Sequence, residues 1–505
     1  MNFGPEHPAA ATGQPRPTEA GAAVSRLNPV RQHLEVIVLV HVGVMLGFAS
    51  WAFGGNIWWA RNWISLWGGL GPLLTWLALT EPGGRGQEAR RHSWVLVPWA
   101  IFGALVVAAG LNPSFVAATL DGQPVLIHFG ERFPFLPSTV NPEISLREWA
   151  YAGGAWLAAC NLWLVVRSRS VLRILFGVAA ANTFVLAVFG TLQKLLVPAE
   201  KDPAGYFHGF YFGAAVSPQE RFFGTFIYNN HWGAFMALFL TVAVGLLFYF
   251  ARDDSGRGRW QGPLPAAIVA ALFIALSAPV SASRSAAAMA GGVMVLALGS
   301  ALRAIGECRR AAGRPALPLL AGLCLSAILV GAAGLWLARA SIEERARDTR
   351  EALSQNGGLL HDRLALYRDT LSLAGQKPVF GWGLGSFGTA FQVIRPRPVA
   401  LNRQYEKSYV EAHSDWLQAL AETGIVGLLL LLAMGALPLL WLPWSTLGHP
   451  LVGWPLLGCA LVALYAWVEF PFANGAVMIA FWTVYFAALR YATLQYRSGP
   501  DGAPS

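Results

Sequence analysis

The chain of 505 residues is 55% hydrophobic and only 12% charged, and its mean hydropathy is +0.47. Soluble domains carry about 25% charged residues, so the composition excludes an ordinary soluble enzyme and predicts an all-α polytopic membrane protein. The 21 Trp and 29 Phe suit aromatic belts at the two membrane interfaces. The net charge of +9 is therefore read as a sign of membrane topology and not of nucleic-acid binding.

Residues 1–32 are rich in Pro, Gly and Ala and contain no apolar run, which predicts a disordered cytoplasmic tail and excludes a secretory signal peptide. The first apolar run predicts an uncleaved signal anchor. By the usual length of about 17–25 residues per span, the sequence predicts about twelve transmembrane helices, at 36–53, 62–80, 94–111, 148–166, 174–197, 230–250, 264–281, 285–302, 317–337, 421–442, 451–468 and 475–493.

Alternate loops between these spans are basic, which marks the cytoplasmic side. The arginines concerned are Arg85, Arg90, Arg91, Arg167, Arg169, Arg173, Arg252, Arg257, Arg259, Arg303, Arg309, Arg310 and Arg314. Both termini are then cytoplasmic, and the loops 112–147, 198–229 and 338–420 face outward. The predicted organisation is a tail at 1–32, nine helices within 33–337, an extracytoplasmic loop domain at 338–420, three helices within 421–493 and a cytoplasmic tail at 494–505.

Cysteine and histidine usage predicts neither a disulfide framework nor a metal or cofactor site. Three of the four cysteines fall inside predicted spans and one in a cytoplasmic loop: Cys160, Cys324, Cys459 and Cys308. The ten histidines are scattered, and none forms a zinc-type spacing with cysteine.

The loop 338–420 is too long for a simple connector. Its first part, 341–355, has Glu343 and Arg347 at i,i+4 and predicts a solvated charged helix. A second helix follows, in which Leu360, Leu364, Tyr367 and Leu371 form one apolar stripe flanked by Arg363. Such an amphipathic helix lies on a membrane surface or caps a helical bundle.

Two further segments complete this loop. Residues 378–387 are dense in glycine, which suits a tight turn or a close approach of the backbone to a ligand. Residues 413–424 then run into an apolar span, and helical spacing places His413 and Leu417 on one face with Glu422 opposite. The acids there fit a helix N-terminus and a solvated histidine, or an ionisable site at membrane depth; both readings stay open.

Two short outward segments also carry polar groups. Arg284 lies between serines in the turn 281–285. An arginine at such a rim either extends its charged end to the interface or binds an anion. The neighbouring serine hydroxyls help to bind phosphate oxygens or cap the next helix. The segment 221–231 contains Arg221, Asn229 as a plausible helix N-cap, and Asn230.

Taken in order, these outward segments resemble the O-antigen ligase and Wzy-type polymerase family over roughly residues 220–440. Members typically show an Arg-containing helix, a Pro-x-x-Gly-x-Gly turn, and His-Asn-Asp-x-Leu-x-x-x-x-Glu-x-Gly entering a transmembrane helix. The corresponding residues here are 363–367, 378–387 and 413–424, together with Ser283-Arg284, Gly224-Thr225-Phe226 and Asn230. Ser414 stands where asparagine is common in the family.

The resemblance implies a GT-C-like, metal-independent and inverting glycosyltransferase in a bacterial inner membrane, with its site facing the periplasm. The donor would be a glycan on undecaprenyl diphosphate. The acceptor would be a sugar hydroxyl, on lipid A-core for a ligase or on another repeat unit for a polymerase, and a few relatives glycosylate protein. No cofactor and no nucleic acid is expected.

The implied roles follow from the chemistry. His413 would be the general base, and Arg284 and Arg363 would approach each other at the outer rim and bind the diphosphate. Five further residues are expected to support these three: Arg221, Asn230, Asp415, Glu422 and Glu469. Asp415 would cap or orient, and Glu422 would pack or contact another span. Glu469 would orient His413.

Two rival classes have a similar hydropathy profile, a flippase for the same lipid-linked glycan and a structural membrane anchor. The sequence shows no matched pair of broken helices at mid-membrane, the feature typical of many transporters. The charged residues gather instead in outward segments, and the ordered motif set disfavours a passive anchor.

Overall fold

The computed structural model describes residues 19–120, 123–196, 206–207, 210–211, 222–251, 262–337, 339, 343, 350, 358–394 and 409–497. Arg221, Arg257 and nearly all of the predicted charged helix 341–355 lie outside these residues. The described chain is predominantly helical, and the fold class predicted from composition is confirmed: this is an all-α polytopic membrane protein.

The first half of the described chain contains eight helices and two small hairpins. The elements are α1 (Glu19–Trp51), α2 (Trp58–Gly68), α3 (Gly71–Thr80), α4 (Gly84–His92), α5 (Leu96–Gly110), β1 (Phe115–Leu120), β2 (Gln123–His128), α6 (Pro142–Val165), α7 (Arg169–Leu196), β3 (Tyr206–Phe207), β4 (Phe210–Tyr211) and α8 (Asn229–Ala251). Each hairpin is an antiparallel pair, β1 with β2 and β3 with β4.

The second half continues with helices of mixed length. They are α9 (Leu264–Val280), α10 (Arg284–Ala311), α11 (Leu317–Leu337), α12 (Gly358–Gln376), α13 (Phe387–Ile394), α14 (Asp415–Ala436), α15 (Pro450–Tyr465) and α16 (Gly475–Arg497), with short 3-10 helices at Leu437–Trp441 and Trp444–Gly448.

Every predicted span overlaps a helix of the structure, because apolar runs of this length must satisfy their backbone hydrogen bonds internally. Seven stretches of the described chain are helical, long enough and apolar enough to cross a membrane: His33–Trp51, Gly86–Gly110, Arg169–Lys194, Asn229–Ala251, Arg284–Ala311, Asp415–Trp441 and Gly475–Arg497. The apolar helices α9 and α15 are shorter. The count of about twelve spans stays a prediction.

The structure differs from the predicted boundaries at several places. Helix α1 begins at Glu19, inside the predicted tail, and α14 begins at Asp415, six residues before the predicted span start at 421. The predicted span 62–80 is divided into α2 and α3. Near this break the backbones pack closely, because a Cβ on Gly68 would lie 2.9 Å from the backbone of Gly154 in α6.

Helices α8 and α16 form the centre of the bundle. Helix α8 packs against α7, α9, α10, α15 and α16, and α16 packs also against α1 and α6. Their side chains are the most enclosed among the candidate spans, with large buried aromatics such as Trp232, Phe235 and Phe486. The loops at both ends of the bundle are therefore attached to its two most buried helices.

Helix α12 packs against α14, but not through the stripe that the sequence pattern suggested. Leu366, Thr370 and Leu373 are buried, whereas Leu364 and Leu371 are 56% and 50% exposed. The helix therefore covers the end of the bundle with one face and leaves part of its second apolar face unpacked.

Candidate active site

Five segments meet at one end of the bundle: the start of α8, the turn between α9 and α10, α12, the residues before α14, and the loop between α15 and α16. Direct hydrogen bonds join them. Asn229 donates from its side chain to the carbonyl of Ser281 at 2.9 Å, and the Arg363 Nη1 donates to the carbonyl of Val468 at 2.8 Å. The Asp415 N–H donates to the carbonyl of Ala466 at 2.9 Å. Residues far apart in sequence are thereby brought into one polar site.

The side chain of Glu469 is the centre of this site. Its Oε1 accepts hydrogen bonds from Arg363 Nη2 and from Asn230 Nδ2, the latter at 3.0 Å, and the Tyr228 hydroxyl lies 3.5 Å away. Its Oε2 lies 3.5 Å from Nδ1 of His413. We call Tyr228, Asn230, Arg363, His413 and Glu469 the Glu469 cluster.

Only 4% of the Glu469 surface is exposed, so its charge depends on its partners. Burial by itself would raise the pKa of this carboxyl. The His413 side chain and the Arg363 guanidinium outweigh that effect and hold the Glu469 pKa below its ordinary value. A carboxylate is therefore present beside the imidazole at neutral pH.

His413 precedes helix α14 and does not belong to it. Its φ of +53° lies in the left-handed region, which is uncommon for a residue with a side chain. The next residue, Ser414, caps α14 by accepting a hydrogen bond from the N–H of Leu417. The sequence-based placement of His413 on a helical face with Leu417 is thus wrong, because the chain turns sharply before the helix starts.

The unusual conformation of His413 is held by its neighbours. The Tyr367 hydroxyl donates to the His413 carbonyl at 3.0 Å, and the imidazole stands edge-on to the Phe470 ring at 4.8 Å between centroids. Apart from the Glu469 oxygen at 3.5 Å, Nδ1 of His413 has no partner among the described residues. Strained, over-determined backbone of this kind clusters at functional sites.

Arg363 is bound to the site but is not enclosed. It contacts Glu469 and Val468, while 37% of its side chain stays exposed. Burial opposes the charge on this guanidinium, but Glu469 raises the Arg363 pKa above its ordinary value. Arg363 can therefore meet an incoming anion while it retains a carboxylate partner.

Arg284 is the first residue of α10 and is exposed. Its flanking serines are part of the site, because Ser283 donates to Asn230 Oδ1 at 2.6 Å and Ser285 lies 2.7 Å from the Tyr465 hydroxyl. Arg284 has no ion-pair partner within the described chain. Ser283 and Asn230 connect it to Glu469, and the approach of Arg284 to Arg363 stays a prediction.

Asp415 supports the site through the loop that carries Glu469. Its Oδ2 accepts the N–H of Phe472 at 2.9 Å, and its own N–H donates to the carbonyls of Ala466 and Glu469. The start of α14 and the residues around Glu469 are in this way fixed relative to each other, and His413 lies between them.

Glu422 has a different role from the carboxylate at 469. Its two oxygens accept the N–H groups of Gly385 and Phe387, at 2.7 and 3.1 Å. Backbone bonds add to this contact, from Gly383 to the carbonyl of Glu422 at 2.7 Å and from Ile425 to that of Pro378 at 2.9 Å. The glycine-rich turn is thus interlocked with a kink of α14.

The glycines of that turn are needed for close backbone packing. Gly383 has φ +102°, and a Cβ there would lie 2.2 Å from Oγ1 of Thr139. Gly424, at the kink, has φ +63°, and a Cβ would lie 2.3 Å from the carbonyl oxygen of Val379. In this structure the turn approaches protein backbone, where the sequence left open an approach to a ligand.

Sequence reasoning overlooked the aromatic part of the site. The Phe470 ring lies between two imidazoles, those of His413 and His231, and is stacked on the Tyr228 ring at 5.5 Å. His231 is 3% exposed, and neither ring nitrogen has a hydrogen-bond partner among the described residues. Glu469 itself had a detectable signal, since it is the one acid in the sequence between Glu422 and Asp501.

The fold and site together define an all-α polytopic membrane protein with a histidine–carboxylate–arginine cluster at one end of its bundle. Residues 268–432 match the family model Wzy_C, described as O-Antigen ligase, so the resemblance seen in the sequence is confirmed for this range. A comparison with curated proteins gave no significant match.

The matched range covers about a third of the chain. It includes Arg284, Arg363 and His413 but ends before Glu469. Proteins of this family are glycosyl-transferring enzymes of surface polysaccharide biosynthesis, which points to a lipid-linked glycan transferase in a bacterial inner membrane.

Proposed function

We propose that this protein transfers a glycan from undecaprenyl diphosphate to a sugar hydroxyl at the outer face of the inner membrane, as an O-antigen ligase does. The observation that carries the proposal is the geometry around Glu469. A carboxylate lies 3.5 Å from the His413 imidazole and also binds Arg363, and the exposed Arg284 follows Ser283 of the same hydrogen-bond network.

In the proposed reaction His413 accepts the proton of the acceptor hydroxyl. Glu469 at Nδ1 keeps that nitrogen protonated and leaves Nε2 for the acceptor, as a carboxylate does for a catalytic imidazole. The acceptor oxygen forms a bond to the anomeric carbon while the bond from that carbon to the diphosphate oxygen breaks, with inversion.

The leaving diphosphate then carries the developing negative charge. Arg284 and Arg363 supply two guanidiniums, which bind phosphate oxygens in a bidentate manner and stabilise that charge without a metal ion. Arg363 has a carboxylate partner and Arg284 has none among the described residues, so the pair retains net positive charge for the donor.

The test of His413 uses purified protein in liposomes with a lipid-linked glycan and a lipid A-core acceptor. His413→Ala is expected to lower the transfer rate about 10²–10⁴-fold while undecaprenyl diphosphate still binds. His128→Ala, in the outward hairpin and outside the Glu469 cluster, is the matched control. Transfer by His413→Ala at the control rate would overturn the assignment of the base.

The same liposomes separate transfer from translocation. A flippase would move the lipid-linked glycan across the bilayer without forming a new glycosidic bond, whereas the proposed enzyme forms that bond with no translocation. Deletion in the source cell identifies the acceptor class. Loss of the whole polymer from lipid A-core indicates a ligase, single repeat units left on it indicate a polymerase, and loss of glycan from protein indicates an O-oligosaccharyltransferase.

The proposal also requires the Glu469 cluster to face the periplasm and both termini the cytoplasm. Cysteine placed at Phe135, a 92% exposed residue of the loop 112–147, is expected to react with a membrane-impermeant thiol reagent on intact cells. Cysteine at Arg310 is expected to react only after permeabilisation. The reverse labelling pattern would reject this orientation.

A further inference from the structure

A cavity with an apolar wall and two arginines lies at the opposite end of the bundle, where α16 ends. Its volume is about 490 Å³, and its wall includes His92, Trp441, Trp444, Arg490 and Arg497. We call it the arginine cavity. Helix α16 begins close to the Glu469 cluster and spans about 34 Å at 1.5 Å per residue, so the cavity is separate from the candidate active site.

Among the residues that the structure describes, positive charge predominates around the arginine cavity. Glu88 accepts hydrogen bonds from Arg490 at 2.7 Å and Arg497 at 3.1 Å, and it is also paired with Arg167. The Arg91 guanidinium stands 5.5 Å from the centre of the Trp441 ring. Glu35 of α1 also acts on Arg490, so among the described residues named here four guanidiniums stand beside two carboxylates. Excess charge of this kind at low dielectric favours a bound counterion.

Arg490 provides a specific binding group. It is 1% exposed, its Nη1 contacts Glu88 and its Nε donates to the carbonyl of Val166. The third nitrogen, Nη2, has no hydrogen-bond partner among the described residues. Buried donors are nearly always satisfied, so an unpaired N–H on a residue that lines a cavity marks a place for an acceptor atom of a ligand.

The rim of the arginine cavity is apolar and faces outward from the bundle. Leu440 is 74% exposed and Trp444 is 66% exposed, and exposed tryptophan beside a charged group is typical of the membrane interface. Two of the basic loops predicted to be cytoplasmic lie at this end, since Arg167 pairs with Glu88 and Arg91 stands over Trp441. Basic pockets between helices at this side are suited to acidic lipid headgroups.

We propose that the arginine cavity binds the phosphate of an anionic phospholipid headgroup, with Arg490 and Arg497 as the phosphate ligands. The acyl chains then lie along Leu440 and Trp444. The bound lipid neutralises the excess charge and fastens the end of α16 to α4, at the side of the bundle away from glycan transfer.

The proposal is tested by native mass spectrometry of the full-length protein in detergent, titrated with phosphatidylglycerol, cardiolipin or phosphatidylcholine. We expect the wild type to retain the two anionic lipids at least about fivefold more than phosphatidylcholine. We expect Arg497→Gln to lower this preference about fivefold. Arg497 is half exposed, so its replacement leaves the helix intact. Arg314→Gln, an exposed arginine between α10 and α11, is the matched control.

Two further measurements distinguish the source of the phosphate. Trp444→Ala is expected to weaken lipid retention while protection against thermal unfolding by glycerol phosphate is unchanged. Suppose that glycerol phosphate or inorganic phosphate protects the wild type as well as phosphatidylglycerol does, and that Trp444→Ala has no effect on lipid retention. The cavity then binds a soluble phosphate compound, and the phospholipid is rejected as its ligand. Equal retention of zwitterionic and anionic lipid, or equal behaviour of Arg497→Gln and Arg314→Gln, would overturn the proposal.

Discussion

Replacement of Glu469 by Gln isolates the contribution of one buried negative charge to catalysis. The substitution keeps the side-chain shape but leaves Arg363 without its carboxylate and His413 without an anion 3.5 Å from Nδ1. We expect the variant to bind the lipid-linked donor and to transfer the glycan slowly.

The size of the effect follows from the distance. Two unit charges 3.5 Å apart interact by about 5 kcal/mol at an effective dielectric constant of about 20. An imidazole that carries roughly half a positive charge in the transition state gains about half of that. The loss of about 2–3 kcal/mol corresponds to a fall in kcat of about 30- to 150-fold.

The assay is steady-state transfer in liposomes, with kcat and the KM for the donor measured separately. Glu131→Gln is the matched control, because Glu131 forms an ion pair with Lys377 in the outward loops and has no contact with the Glu469 cluster. A kcat of Glu469→Gln within about threefold of the control would refute the orienting role of Glu469. A change confined to the donor KM would mean that Glu469 acts only by holding Arg363 at the donor site and does not assist His413.

The depressed pKa of Glu469 also makes a prediction for stability. A carboxyl whose folded pKa is below its unfolded value of about 4.3 stabilises the fold above that value, and the contribution is lost as the pH falls through the folded pKa. We expect Glu469→Gln to lower the free energy of unfolding at pH 7 by about 1–3 kcal/mol, less than for a fully buried pair because Arg363 is partly exposed. The gap between wild type and variant should close in acid, and a gap that widens on acidification would contradict this sign.

Further predictions concern the donor site and the glycine-rich turn. Arg284→Lys is expected to raise the donor KM about tenfold, because lysine keeps the charge but loses the planar fork; an unchanged KM would remove Arg284 from the diphosphate site. Gly383→Ala is expected to lower the free energy of unfolding by about 2–4 kcal/mol, because the new Cβ would lie 2.2 Å from Thr139 Oγ1 at a φ of +102°. Gly375→Ala, with nothing within 4 Å, should cause no loss in the same thermal unfolding measurement.

Much of the fold could be predicted because the signal is local. A run of about twenty apolar residues can satisfy its backbone hydrogen bonds in a bilayer only as a helix, and each predicted span overlaps a helix of the structure. The break between α2 and α3 was not visible in hydropathy. It accompanies close packing of Gly68 on Gly154, which depends on a neighbouring helix.

The candidate site was only partly predictable. His413, Arg363 and the Gly-rich turn stand out as polar or flexible residues beside apolar spans, so the sequence could nominate them. The stripe of α12 left two readings open, a membrane surface or a cap on the bundle, and in the structure Leu366 and Leu373 are enclosed while Leu364 is exposed. Periodicity identifies an amphipathic helix, but the neighbouring elements decide which side is covered.

The sequence by itself determined the class of protein, the positions of the helices and the residue types available for glycan transfer. The sequence could offer Glu469 only as a candidate for orienting His413, and the tertiary structure decided which carboxylate lies beside the imidazole. Glu422 lies nine residues from His413 yet binds the Gly-rich turn, whereas Glu469, 56 residues away, lies 3.5 Å from the imidazole and contacts Arg363 across 106 residues. The physical reason is that a helix carries the chain away from the membrane face and another returns it, so neighbours at that face are determined by helix packing.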